Sequence, residues 1–189
     1  MMGTIIGLVG FICYFIYDIN TVLWKKKVFF PFFFLGSLIV ILASIYTYSK
    51  AYKQAGFSEH GLFMFILALC FFLLLIYTLF FALPFQETYR DHSQVPTVCN
   101  YGVYALCRHP GFLWFFFFYL FLGFTLKSMN FLFFGLFLSF CNFIYICLQD
   151  AYVFPKQFKD YQVYKKETPF LMPTPASIRE CFKTTTRRA

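Results

Sequence analysis

The sequence predicts an all-α integral membrane protein of about five transmembrane helices, with a C-terminal helical hairpin and a short interfacial helix. Three observations carry this. The chain is 60% hydrophobic and 25% aromatic but only 13% charged, whereas a soluble domain usually carries about 25% charged residues. Its 32 phenylalanines exceed what one small core can hide without leaving large apolar patches. The apolar residues also gather into runs of bilayer length, with basic residues at their ends.

The first run is centred on Ile5–Tyr17 and with its shoulders covers about residues 3–22, enough to cross a bilayer core. It lacks a basic leading region and a small-x-small cleavage site, so it reads as an anchor and not as a signal peptide. Val28–Tyr48 is the second span, and Leu62–Phe85 the third, the latter without a single charge. Phe112–Leu148 is too long for one crossing and is interrupted by Lys127-Ser128-Met129-Asn130. A polar tetrapeptide belongs at the surface, so this run is expected to be a hairpin of two helices, the first slightly short. A four-helix arrangement with the last pair re-entrant is the other reading of the same run.

Charge sets the expected orientation. Lys25-Lys26-Lys27, Arg90, Arg108 and the basic tail fall on one side of a five-span chain, and only Lys50, Lys53 and Lys127 on the other. The positive-inside rule then places the tail and the Glu87–His109 loop in the cytoplasm and the N-terminus outside. The net charge of +8 is accounted for by topology and by attraction to anionic lipid headgroups. It does not indicate nucleic acid, because no basic stripe stands apart from the membrane flanks. No cysteine lies in an expected external loop, so no disulfide framework is indicated. The C-terminal CFKTTTRRA has neither the position nor the ending of a prenylation signal.

The expected organisation is a three-helix anchor region at 1–84, a region at 85–175 where the informative polar residues gather, and a basic tail at 176–189. The loop from 86 to 111 ends in Arg108-His109-Pro110. Proline suits the first position of a helix, which leaves Arg108 and His109 just outside the fourth span, beside free N–H groups that favour an anion. The fifth span ends in Gln149-Asp150. Because the two hairpin helices are antiparallel, these ends meet at one membrane face, and the mouth of the hairpin collects Arg108, His109, Gln149 and Asp150. Asn142 lies two turns before Gln149, on the same helix face. Phe154, Phe158 and Tyr161, spaced four and three apart with lysines between, predict the interfacial helix, which ETPFLMPTP then stops.

Each of these residues has a plainer role beside a chemical one. His109 either caps and snorkels or titrates as a site residue. Arg108 is either a topology charge or a carboxylate clamp. Asp150 and Gln149 either lock the hairpin or touch a ligand, and Asp18 either faces headgroups or is catalytic. Tyr101, Tyr104, Tyr161 and Tyr164 offer aromatic faces to a cation. His92, Cys99, Cys107 and His109 lack the paired short spacing of a zinc site, so no metal is expected. A transporter would need polar groups at mid-membrane on several helices and an internal repeat, and neither is evident.

GVYALCRHPGFLW, a hydrophobic hairpin and LQDAYVFPKQFKDYQVYKKETPFLMP follow one another in that order. The series, at about 99–173, resembles the integral-membrane S-adenosylmethionine-dependent methyltransferases of the isoprenylcysteine carboxyl methyltransferase and phospholipid methyltransferase type. Gly102, Tyr104, Arg108, His109, Pro110, Phe158, Tyr161, Tyr164, Pro169 and Pro173 match that pattern. Trp114 stands where the family has glycine, Phe112 where it prefers tyrosine, and Gln149-Asp150 where it has two glutamates. The resemblance implies S-adenosylmethionine as cofactor, held by Arg108, His109, Tyr104, Gln149, Tyr161 and Tyr164. His109 and Asp150 would be catalytic, and a membrane lipid or lipidated molecule the acceptor. The alternative is a membrane scaffold, or a lipid- or partner-binding protein, that keeps this fold without catalysis.

Overall fold

The computed structural model describes residues 1–82 and 97–186. Arg90 and His92, named above as a topology charge and a metal candidate, lie outside the described residues. The elements are helices: α1 (Met2–Ile19), α2 (Phe32–Ala55), α3 (Gly61–Phe80), α4 (Val103–Leu106), α5 (Pro110–Phe124), α6 (Met129–Leu148), α7 (Phe154–Gln157), α8 (Tyr161–Glu167) and α9 (Pro175–Thr186). Wide π-helical turns extend α1 through Asn20–Trp24 and α6 through Gln149–Val153. Among the described residues four helical stretches are long and apolar enough to cross a bilayer: Met2–Trp24, Lys27–Ala55, Gly61–Phe80 and Met129–Gln157. The chain is thus an all-α protein of membrane character. α5 is apolar too but has 15 residues, about 22 Å of helix.

Helix directions follow from which residues touch. Gly10 approaches Gly36 and Val40, and Tyr14 bonds Ser37, so α1 and α2 are antiparallel. Gly123 meets Leu132, Tyr119 meets Gly135, and Phe112 meets Phe143, so α5 and α6 are antiparallel as well. Phe71 stacks on Phe121 while Trp114 bonds Thr78, which makes α3 antiparallel to α5. Gly7 against Leu138 and Phe15 against Tyr145 make α1 parallel to α6. The core joins Phe11, Val40 and Ala43 to Tyr119, Phe131, Phe134 and Leu138. At the end where α2 ceases, the Gly56–Ser58 turn pairs with the hairpin turn: Ser58 N–H donates to Thr125 O at 2.9 Å and Lys127 N–H to Gly56 O at 3.3 Å. That leaves the start of α5 and the end of α6 together at the opposite end.

Much of what these helices present outward is apolar. Phe34, Leu38, Ile41 and Ile45 on α2 and Leu62, Phe63, Ile66 and Leu73 on α3 are all exposed. In water such continuous stripes would be a large aggregating patch; in a bilayer they face chains as apolar as themselves. With no solvent-driven hydrophobic force between helices, close backbone approach holds them together. A Cβ on Gly36 would stand 2.7 Å from Gly10 O, and one on Gly10 2.9 Å from Gly36 O.

Two expectations change. The interfacial segment is not one helix. The chain turns extended at Phe158 (φ −117°, ψ 127°), and α8 restarts with Tyr161 and Tyr164 buried against the bundle. The polar partners of those two hydroxyls lie inward, which outweighs the amphipathic spacing. The tail, expected as a basic extension, forms α9 over Pro175–Thr186.

Gly36→Ala is expected to lower the stability of the detergent-solubilised protein by about 1–3 kcal/mol, because the methyl meets backbone that cannot yield. Gly111→Ala, whose added Cβ finds nothing nearer than 3.8 Å, is expected to be neutral or stabilising. Thermal unfolding of both variants checks this pair.

Candidate functional site

The mouth between α5 and α6 is organised around Asp150, which is 6% exposed. It sits on the wide turn that continues α6. Arg108 Nε donates to Asp150 Oδ1 at 2.7 Å, and the Tyr161 hydroxyl donates to the same oxygen at 2.7 Å. Lys165 Nζ lies 2.6 Å from Oδ2. Arg108 Nη1 donates to the carbonyls of Lys165 (2.9 Å) and Thr168 (2.7 Å). Its own backbone N–H reaches Pro169 O at 2.9 Å. One guanidinium therefore ties the approach to α5, the end of α6 and the end of α8 into a single body. A buried carboxylate is tolerated only with such complete pairing.

His109 stands beside this hub without joining it. As the residue before Pro110 it is held out of the helix, at φ −124° and ψ 60°. Its imidazole stacks on Phe154 (5.8 Å, 12° between planes) and meets Phe170 edge-on at 5.2 Å. Nε2 lies 3.6 Å from Asp150 Oδ1, too far for a hydrogen bond, and has no hydrogen-bond partner among the described residues. Burial pushes the imidazole below its ordinary range, against the opposing pull of Asp150. It is a ring with a buried nitrogen left unsatisfied among the described residues.

The tyrosines frame the hub. Burial and the bond to Asp150 raise the Tyr161 hydroxyl, so it remains a donor. Tyr164 donates to Tyr104 O at 2.6 Å, and Tyr104 donates to Thr78 O at 3.0 Å, which links α8 through α4 to α3. Cys107 is fully buried, its thiol pushed up to about 12 by burial. Trp114 faces α3, where its indole N–H donates to the Thr78 hydroxyl at 3.0 Å.

Of the residues singled out from sequence, Arg108, Asp150 and Tyr161 meet in one cluster, with His109 beside it and Tyr164 and Tyr104 in its outer frame. Gln149 is turned away: its amide donates to Asp18 Oδ2 at 2.9 Å, fastening α6 to α1. Asp18 is buried in that contact and not displayed to headgroups. Lys165 and the Thr168 carbonyl are members that the sequence reading left out. A signal was present, since Tyr161, Tyr164, Lys165 and Thr168 fall at i, i+3, i+4 and i+7.

Asp150→Asn is expected to cost about 3–5 kcal/mol, because it leaves Arg108 and Lys165 buried or half-buried without their counter-charge. The double variant with Arg108→Met should lose less than the two single losses summed, as measured in a double-mutant cycle. The second expectation concerns pH. The unfolded chain protonates His109 near its ordinary value of about 6.5, while the folded ring resists until lower pH. Stability is then full above that value and falls as pH drops toward the lower folded value. Unfolding midpoints compared between the wild type and His109→Gln should show this slope only in the wild type.

Comparison with protein-family models, with curated proteins and with solved structures finds no match to this chain.

Proposed function

We propose that this chain is a membrane-bound methyltransferase that transfers a methyl group from S-adenosylmethionine to a lipid, isoprenylcysteine or other amphiphilic acceptor. In this reading it crosses the bilayer five times, with α5 and α6 as the last hairpin, the N-terminus outside and the mouth of the hairpin in the cytoplasm. The distribution of basic residues supports that orientation. The observation that carries the reading is His109 Nε2, buried without a hydrogen-bond partner among the described residues and beside a fully paired carboxylate, where the two halves of the ordered sequence pattern meet.

What supports such a cofactor among the residues present is that nitrogen. A buried imidazole nitrogen left without a hydrogen bond is costly unless a ligand completes it. His109 and the aromatic faces of Phe154 and Phe170 would hold the cofactor, with the tyrosine frame closing around it. The Lys165 side chain, 38% exposed and paired with Asp150 Oδ2 at 2.6 Å, would share its charge between Asp150 and the cofactor's carboxylate. Arg108, whose fork is turned onto Asp150 and two carbonyls, acts as a positioning residue. A bound sulfonium supplies an electrophilic methyl group, so the protein's task is alignment and exclusion of water.

In the tautomer that leaves Nε2 bare, His109 would accept a proton there from an amine or thiol acceptor. Asp150 would then stabilise the charged ring from 3.6 Å. A carboxylate acceptor would need no base. An amphiphilic acceptor would keep its apolar part in the bilayer and bring its reactive end to the polar cluster.

The fully paired state of Asp150 favours the alternative, a scaffold or a lipid- or partner-binding protein in which the cluster serves only to lock the hairpin. Calorimetric titration of the solubilised protein with S-adenosylmethionine separates the two. Saturable binding that His109→Ala abolishes while the protein stays folded is the expected result. Absence of binding to well-folded wild type would leave the structural lock as the whole role of the cluster.

A further inference from the structure

We infer that α9 is a membrane-surface helix that docks on anionic lipid headgroups and thereby steadies α4 beside the site. The inference rests on the bundle's placement in a bilayer and not on methyl transfer.

α9 has three distinct edges. Ser177 is buried, and Cys181 and Thr184 are half-buried; these residues, at i, i+4 and i+7, form the edge that packs on α4. The Thr184 hydroxyl accepts the Gly102 N–H at 3.0 Å. At the start of the helix, Thr174 and Ser177 cap one another: Thr174 N–H donates to Ser177 Oγ at 2.9 Å and Ser177 N–H to Thr174 Oγ1 at 3.2 Å. The second edge carries Ile178 and Phe182, one turn apart, and Phe182 is 72% exposed. The third carries Arg179 and Lys183, again one turn apart and about 100° further round the helix axis. Glu180 pairs with Lys183 at 3.4 Å in the open.

An exposed phenylalanine and isoleucine beside a basic edge suit the plane between headgroups and acyl chains. The apolar edge enters the acyl boundary and the basic edge stays with anionic headgroups. The location agrees. α4 is fixed to the end of α3 by the Tyr104–Thr78 bond, and at that same end Phe80 and Phe81 are exposed. The apolar edge of α9 thus belongs to the end of the bundle where lipid-facing surface gives way to the basic side of the chain. Charge complementarity selects an anionic surface over a neutral one.

The consequence falls on the site. α4 leads directly into Arg108 and His109, and Gly102, at φ 59°, is the point where α9 grips its start. A lipid that holds α9 down also holds this segment in place.

Hydrogen–deuterium exchange of the full chain in nanodiscs tests the proposal. With phosphatidylserine mixed into phosphatidylcholine, amides of α9 should exchange roughly tenfold more slowly than in phosphatidylcholine alone, given the net positive charge that Arg179 and Lys183 keep against Glu180. Raised salt should remove the difference, and so should Arg179→Ser with Lys183→Ser. Ile178→Ser with Phe182→Ser should raise exchange in both lipids. Unchanged protection of α6 amides reports that each variant remains folded. Equal α9 exchange with and without the anionic lipid would overturn the proposal, as would protection that follows protein concentration in place of lipid charge. A failure here leaves cofactor titration unaffected, and the reverse also holds.

Discussion

A single carboxylate governs the mouth of this protein. Asp150 sits where an apolar helix ends, and an unpaired charge there would be driven to protonate or to unfold its surroundings. Arg108, Tyr161 and Lys165 supply donors to both of its oxygens. These donors come from segments that the hydrophobic packing of the helices alone would not bring into register. The guanidinium also satisfies the carbonyls of Lys165 and Thr168, so the segments after α6 fold back over the start of α5. Buried ion pairs seldom add much net stability, but they reject misaligned arrangements. Here the rejected arrangement is any one that separates the approach to α5 from α8.

The hub needs a rigid bundle behind it. Close approach at Gly10 and Gly36 fixes α1 on α2, and small residues at Gly123 and Gly135 let α5 lie close on α6. The Gln149–Asp18 bond then joins the end of α6 to α1. In a bilayer, where side-chain burial gives little driving force, such contacts decide which helices neighbour one another. His109 is left over from this pairing. Its neighbours Phe154 and Phe170 desolvate the ring, and no described partner takes Nε2, so the fold stores an unsatisfied nitrogen next to a charge that it cannot reach.

Much of this was legible in the sequence because the bilayer imposes few options. Runs of apolar length and the polar break at Lys127–Asn130 located the long helices, and antiparallel hairpin logic brought Arg108 to Asp150. Pro110 marked the start of α5. Gln149 escaped, because adjacency to Asp150 suggested a shared role, whereas neighbouring residues on a helix point about 100° apart. Lys165 escaped because a lysine among lysines reads as a headgroup contact, and nothing local announces that its ammonium folds back fifteen residues. The inward turn of Tyr161 depends on the same carboxylate, eleven residues back. α9 escaped because its inner edge is made of Ser, Cys and Thr, which carry no periodic hydrophobic signal.

The state of the His109 imidazole decides whether the cluster can do more than lock the mouth, and the chain's 3 histidines are few enough to follow individually. Nitrogen-15 NMR of histidine-labelled protein in nanodiscs, assigned with His109→Gln, reads the ring's protonation and hydrogen bonding directly. The expected result is a His109 ring that stays neutral through pH 6.5 and whose Nε2 resonance moves when S-adenosylmethionine is added. A ring that is protonated above that pH, bonded to Asp150 and indifferent to the cofactor would contradict the account.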